Sequence, residues 1–132
     1  MLKKRKIMED LKNISLLIVE DGEDIIRIMD NTFKALVKNI YLAPDPAVGI
    51  ELYKNHKPDL ILTDIRMPRA KDGNDFIQHI RDIDSTIPII VVSAYVHDLQ
   101  KRDLVQFVME KPIDFIELID MIDKALTNNK EA

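Results

Sequence analysis

The sequence predicts an α/β protein built on one parallel sheet with helices on both faces, and three observations lead to that class. Five short apolar runs alternate with segments in which apolar residues recur every three or four positions. The first run, Ile14-Ser15-Leu16-Leu17-Ile18-Val19, is nearly continuous, as in a strand covered on both faces. The chain has 132 residues, enough for one core and not two, so all the elements must share it. Strands joined by single helices in so short a chain run parallel, with the helices crossing the faces of the sheet.

Each element carries its own signature. After the first run, Ile25, Ile28, Met29, Thr32, Phe33 and Leu36 mark an amphipathic helix. Ile40-Tyr41-Leu42-Ala43 is a weak second strand. Asp45-Pro46 reads as an N-cap followed by proline at the first helical position, and Val48, Ile50, Leu52 and Tyr53 carry that helix to about Asn55. Lys57-Pro58-Asp59 breaks the chain before the third strand, Leu60-Ile61-Leu62-Thr63. Gly73-Asn74 is expected to open a third helix bearing Phe76, Ile77, Ile80 and Ile83. Pro88 to Val92 reads as the fourth strand, Asp98 to Leu104 as a short helix, and Val105 to Met109 as the fifth strand. Asp114 with Glu117 three residues on is a capping-box start for a last helix that buries Phe115, Leu118, Ile119, Ile122 and Leu126.

Composition narrows the function classes. The chain is 46% hydrophobic and 32% charged, an ordinary globular balance, and with only 5% aromatics its core must rest on Ile, Leu, Val and Met. Having no Cys, it cannot form disulfides, thiolate metal sites or a Cys nucleophile. No apolar run is long enough to span a bilayer, and Met1-Leu2-Lys3-Lys4-Arg5-Lys6 lacks the features of a signal peptide, so a cytoplasmic protein without membrane contact is expected. The net charge of −4 divides into +3 over residues 1–12 and −7 over the remainder. We therefore expect a basic N-terminal leader over 1–12, a single domain over 13–128 and a short tail over 129–132. The acidic body has no basic stripe, which argues against nucleic acid as a direct partner.

A parallel α/β sheet binds ligands outside the carboxyl ends of its strands. Strand one ends in Glu20-Asp21, strand three in Asp64, strand four in Ser93 and strand five in Lys111. Each alone has a plain structural role: acids near a helix N-terminus, a loop cap, a helix cap, a solvated lysine. Together they bring three carboxylates, a hydroxyl and an ammonium to one rim. Clustered carboxylates repel unless a cation neutralises them, and hard oxygen ligands suit Mg²⁺. A carboxylate is a nucleophile toward an activated phosphoryl group, and a lysine and a cation stabilise the transferring oxygens. The sequence has no Gly-x-x-x-x-Gly-Lys-Ser/Thr and, with three glycines, no Gly-x-Gly-x-x-Gly. His56, His79 and His97 lack metal-ligand spacing and read as surface residues.

Over residues 14–127 the sequence resembles the receiver domain of bacterial response regulators. The resemblance rests on Leu16 to Asp21, Pro58 to Pro68 with Asp64 at its centre, Asp72-Gly73, Pro88 to Ala94 and Lys111-Pro112. It implies a flavodoxin-like (βα)₅ fold, a three-layer sandwich with strand order 2-1-3-4-5. It also implies a signalling module, not a metabolic enzyme, that takes a phosphoryl group from a sensor histidine kinase or relay protein. By resemblance Asp64 is the phosphoacceptor, Asp21 a direct Mg²⁺ ligand, Glu20 a ligand through water, and the Arg66 backbone carbonyl a further ligand. Ser93 and Lys111 would meet the phosphoryl oxygens, and Lys111-Pro112 would be a cis peptide, a form open to proline.

Three departures from the family pattern give structural expectations. Val108 stands where receivers carry an aromatic switch residue, and Phe107 should face the other side of the sheet. Ser93 and Lys111 are 18 positions apart, about one helical turn short, so the fourth helix should be short or irregular. Arg69-Ala70-Lys71 makes the stretch from Asp64 to Gly73 one residue long, which predicts a looser loop beside the site. Arg66 and Tyr95 flank the site and are expected to hinder an attacking water. A haloacid-dehalogenase type of phosphatase would need a second Asp two residues after Asp64, where Arg66 stands. A receiver-like interaction domain working without phosphorylation is the alternative. The effector is expected to be a downstream protein or an output domain outside this chain, and a homodimer is open.

Overall fold

The computed structural model describes residues 9–131, with side chains over 9–128. The expected leader thus lies largely outside the described residues, as does part of the tail. Leu11, within that leader, is buried against the core.

Five strands form one parallel sheet in the order β2-β1-β3-β4-β5: β1 Ser15–Val19, β2 Asn39–Ala43, β3 Leu60–Thr63, β4 Ile89–Ser93 and β5 Phe107–Glu110. Besides a helical stretch at residues 9–11, four α-helices lie wholly within the described residues: α1 Glu23–Phe33, α2 Pro46–His56, α3 Ala70–Ile83 and α4 Phe115–Glu131. This is the flavodoxin-like order predicted above. Alternate strand residues face opposite ways, which splits the core into two layers. Leu16, Ile18, Leu60, Leu62, Ile90 and Val92 pack under Met29 and Phe33 of α1 and Leu118, Ile122 and Ala125 of α4. Leu17, Val19, Ile61, Ile89 and Val91 pack under Phe76, Ile77 and Ile80 of α3, with Val48 and Leu52 of α2 against them. Because β1, β3 and β4 are covered on both sides, their sequences are nearly unbroken apolar runs. No helix among the described residues is long and apolar enough to cross a membrane.

The helix starts follow their caps. The Asp45 carboxylate accepts from the Val48 N–H at 2.9 Å, and that of Asp114 accepts from the Glu117 N–H at 3.1 Å. The third helix departs from expectation. It opens at Ala70, one turn before Gly73, because the Asp72 carboxylate accepts from the Arg69 N–H at 3.0 Å and from its guanidinium at 2.9 Å. Residues 70–72, expected in a looser loop, are thereby wound into the helix. Gly73 is then needed for close approach: its N–H donates to the Ile65 carbonyl at 2.8 Å, and a Cβ there would lie 2.3 Å from that oxygen.

The region between β4 and β5 also differs in detail. Instead of one short helix over Asp98 to Leu104 there are two 3₁₀ turns, Val96–Asp98 and Arg102–Leu104. The fifth strand begins at Phe107, not Val105. Val105 closes the second turn, and Gln106 holds Ile89 from both sides of the peptide: its N–H donates to the Ile89 carbonyl at 2.9 Å and its Oε1 accepts from the Ile89 N–H at 2.6 Å. Phe107 and Val108 do face opposite sides, packing against the α1/α4 layer and the α2/α3 layer respectively.

Asp84, at the end of α3, ties three elements together. Its carboxylate accepts from the Tyr53 hydroxyl at 2.6 Å and from the N–H groups of Thr86 and Ile87 at 2.9 Å each. Burial opposes its charge, but these donors outweigh burial and hold the carboxyl below its ordinary value, while burial and Asp84 push the Tyr53 phenol up to about 12. A carboxyl depressed on folding adds stability above its unfolded pKa, and that stability is lost as pH falls through the lower folded value. Asp84→Ala should therefore destabilise by about 1–3 kcal/mol at neutral pH and by clearly less below pH 3, as read from urea midpoints across pH. An equal loss at both pH values would show that the Asp84 charge is not what stabilises this joint.

Candidate functional site

The carboxyl ends of β1, β3, β4 and β5 meet at one rim. Two backbone bonds set the heights there: the Asp64 N–H donates to the Val19 carbonyl at 3.0 Å, and the Lys111 N–H to the Ser93 carbonyl at 2.9 Å. The Glu20 N–H likewise donates to the Ala43 carbonyl at 3.0 Å. The first residue after each ladder is therefore still held by the neighbouring strand. The structure brings together Glu20, Asp21, Asp64 and Lys111, with Ser93 on the same strand ends.

Lys111 is the hub. Its ammonium donates to Glu20 Oε1 at 2.6 Å and to Asp64 Oδ2 at 3.0 Å. The other Glu20 oxygen accepts from the Gly22 N–H at 2.9 Å, and Asp64 Oδ1 accepts from the Ile65 N–H at 2.6 Å. Glu20 and Asp64 are buried, with 3% and 7% exposure, so these four hydrogen bonds replace much of the water they gave up. Even so, burial pushes the Glu20 carboxyl above its ordinary range, against the pull of Lys111 and Gly22. Burial works to lower the Lys111 ammonium, yet the hydrogen bond to Glu20 and the attraction of both carboxylates hold it above the ordinary lysine value. Lys111 stays charged, and Lys111-Pro112 is cis, as is Met67-Pro68.

Each of Glu20, Asp21 and Asp64 offers an oxygen within 4.8 Å of the others, and Asp21 is the exposed member that faces solvent. Three carboxylates against one ammonium leave an excess of negative charge in a partly dehydrated rim. A hard divalent cation fits this donor set: the ligands are all oxygen and an open side admits further water ligands. Ser93 is fully buried, and its Oγ accepts from the Tyr95 N–H at 3.0 Å, which leaves the hydroxyl proton free to donate.

Beside the rim, Arg66 and Tyr95 form one unit instead of two independent flanks. The Arg66 guanidinium lies 3.9 Å above the Tyr95 ring, and its Nε donates to Asp98 Oδ2 at 2.6 Å. Asp98 was not among the residues singled out from the sequence. Its partner is 32 positions away, and no local spacing marks the pair.

Comparison with known proteins agrees with this site. The family description "Response regulator receiver domain" matches residues 16–123, and the chain belongs to that family. An uncharacterized response regulatory protein of Staphylococcus epidermidis is 35% identical over 118 residues, covering 81% of this chain and 45% of the relative. The Regulator of RpoS of Escherichia coli is 35% identical over 112 residues, covering 81% of this chain and 33% of the relative. The chain thus spans under half the length of these curated relatives. A CheY-like response regulator receiver domain protein from Methanospirillum hungatei superposes with a TM-score of 0.82 at 18% identity, over 90% of this chain and 98% of that one, which shows the shared fold. Receiver domains are in general signalling modules and not metabolic enzymes.

Removing Lys111 should expose the electrostatic problem it solves. Lys111→Met leaves two buried carboxylates without their shared cation and should destabilise by roughly 3 kcal/mol in chelator. Adding Mg²⁺ should raise its urea midpoint more than that of the unchanged protein. Equal Mg²⁺ shifts in the two proteins would mean that lysine and metal do not answer the same charge.

Proposed function

We propose that this chain is a receiver module that accepts a phosphoryl group on Asp64 from a phosphohistidine of a sensor kinase or relay protein. The supporting observation is the pairing of buried Asp64 with Lys111 at 3.0 Å, inside a set of three carboxylates. A carboxylate oxygen of Asp64 attacks phosphorus, the P–N bond to the donor imidazole breaks, and the imidazole leaves with the bonding pair and takes up a proton. Lys111 and the Ser93 hydroxyl donate to the phosphoryl oxygens as their charge redistributes. The Ile65 N–H holds the other Asp64 oxygen and so fixes the plane of the nucleophile. Glu20, Asp21, Asp64 and the Arg66 carbonyl are the residues that would hold Mg²⁺. When bound, the ion neutralises the carboxylates and stabilises charge on the transferring group.

Arg66 and Tyr95, stacked as one lid beside Asp64, would slow the water that hydrolyses the acyl phosphate. The module acts in the cytoplasm through protein contacts, with a downstream protein or an output domain as effector and with no direct binding of nucleic acid or membrane. A homodimer is compatible with this reading. The 1–12 leader, the 13–128 domain and the 129–132 tail are retained as its organisation.

Incubation with acetyl phosphate and Mg²⁺ should add one phosphoryl group by intact mass. Asp64→Asn and a chelated sample should show none. No adduct under conditions that label another receiver would favour an interaction domain working without phosphorylation.

A further inference from the structure

The segment joining β4 to β5 is built unlike the rest of the domain. From Ala94 to Leu104 no residue is fully buried, and only Leu99 and Leu104 pack, partly exposed, against the α2/α3 layer of the core. Polar bonds to α3 and its preceding loop hold it in place. The Asn74 amide donates to the Asp98 carbonyl at 2.8 Å, and its oxygen accepts from the Gln100 N–H at 2.9 Å. Lys101 Nζ donates to Gln78 at 2.9 Å, and Arg81 Nε to the Leu104 carbonyl at 2.8 Å. Elements held this way lie at the low end of local stability and open before the core does.

Arg66 connects this segment to the strand that carries Asp64. It sits two residues after Asp64, and its guanidinium spans from the Tyr95 ring to the Asp98 carboxylate. Tyr95 in turn is bonded through its N–H to the buried Ser93 hydroxyl oxygen. The Arg66–Asp98 pair is solvent-accessible on both sides, at 43% and 27% side-chain exposure, so water and salt screen it and it yields to a stronger competitor. A phosphoryl group on Asp64 is such a competitor. It brings about two negative charges and three acceptor oxygens, and a guanidinium matches it in two-pronged geometry.

We propose that the Arg66–Asp98 pair is a latch that holds the 96–104 segment in place until Asp64 is phosphorylated. Arg66 then turns to the phosphoryl oxygens, Asp98 loses its cation, and the segment loosens into the form that partners read. This rests on the reading of Asp64 as phosphoacceptor. It also gives the domain a route from site to surface where Val108 offers no aromatic side chain to move. The signal travels through a two-state ion pair on a weakly held segment, not through the core.

Amide hydrogen exchange of peptides covering 96–104 tests this, with intact mass read on the same samples and β1 peptides as the folding control. Phosphorylation of the unchanged protein should speed exchange there by roughly fivefold, the loss expected for one accessible ion pair. Asp98→Asn without phosphorylation should already show that faster exchange, with β1 unchanged, and should gain less than twofold more when phosphorylated. A phosphoryl adduct with unaltered exchange at 96–104, or an Asp98→Asn protein as protected as the original, would overturn the latch and leave the phosphoacceptor intact. Absence of any adduct would overturn the phosphoacceptor reading and the latch with it.

Discussion

Like charge gathered at the end of a sheet is the constraint on which the rest of this structure depends. Glu20, Asp21 and Asp64 sit within a few ångströms of one another where water is partly excluded, and such a group repels itself strongly. The fold answers with Lys111, delivered from the far side of the polypeptide by β5 and touching two of the three acids. Lys111 can reach them because β5 is pinned beside β4 and its own N–H is fixed to the Ser93 carbonyl. The compensation is incomplete, with one ammonium for three carboxylates, and the excess negative charge is of the kind that a hard divalent cation suits.

The scaffold keeps that imbalance in register. The buried strands β1, β3 and β4 cannot slip by one residue without turning their apolar side chains around, so the residues that follow them are fixed in height. Behind Asp64 the chain turns sharply, and Gly73 lets α3 come within hydrogen-bond distance of the Ile65 carbonyl where any side chain would collide. The Arg69–Asp72 contacts start α3 early and wind residues 70–72 into it. Rigid support on this side contrasts with the largely polar attachment of residues 94–104 on the other, where only Leu99 and Leu104 reach the core. One side fixes the position of Asp64 and the other is held mainly by accessible polar bonds.

The fold was legible because its strongest signals were repeated ones. Unbroken Ile, Leu and Val runs at β1, β3 and β4, and the helical periods around Phe33, Phe76 and Ile122, each reflect burial against the same sheet. The site was legible for a related reason: in a parallel sheet the strand ends converge, so Glu20, Asp21, Asp64, Ser93 and Lys111 could be gathered without coordinates. What escaped was set by pairings across long sequence separations. The early start of α3 depends on Arg69 and Asp72 closing on each other, and the approach to β5 on Gln106 bonding Ile89 with both its N–H and its side chain. Asp98 escaped because an accessible ion pair leaves no periodicity to read. The break-up of the fourth helix into two turns was foreseen only as irregularity, since 18 positions set a length and not a conformation.

Reductive trapping tests most directly whether Asp64 is the side chain that takes the phosphoryl group. Borohydride cleaves an acyl phosphate and reduces the carboxyl carbon to an alcohol, which would convert the phosphorylated aspartate to homoserine. Treatment after incubation with acetyl phosphate and Mg²⁺, followed by peptide mass mapping, is predicted to place homoserine at position 64 and at no other aspartate. Homoserine at Asp21 or elsewhere, with Asp64 unmodified, would contradict the account, because the nucleophile would then be a carboxylate that Lys111 does not hold.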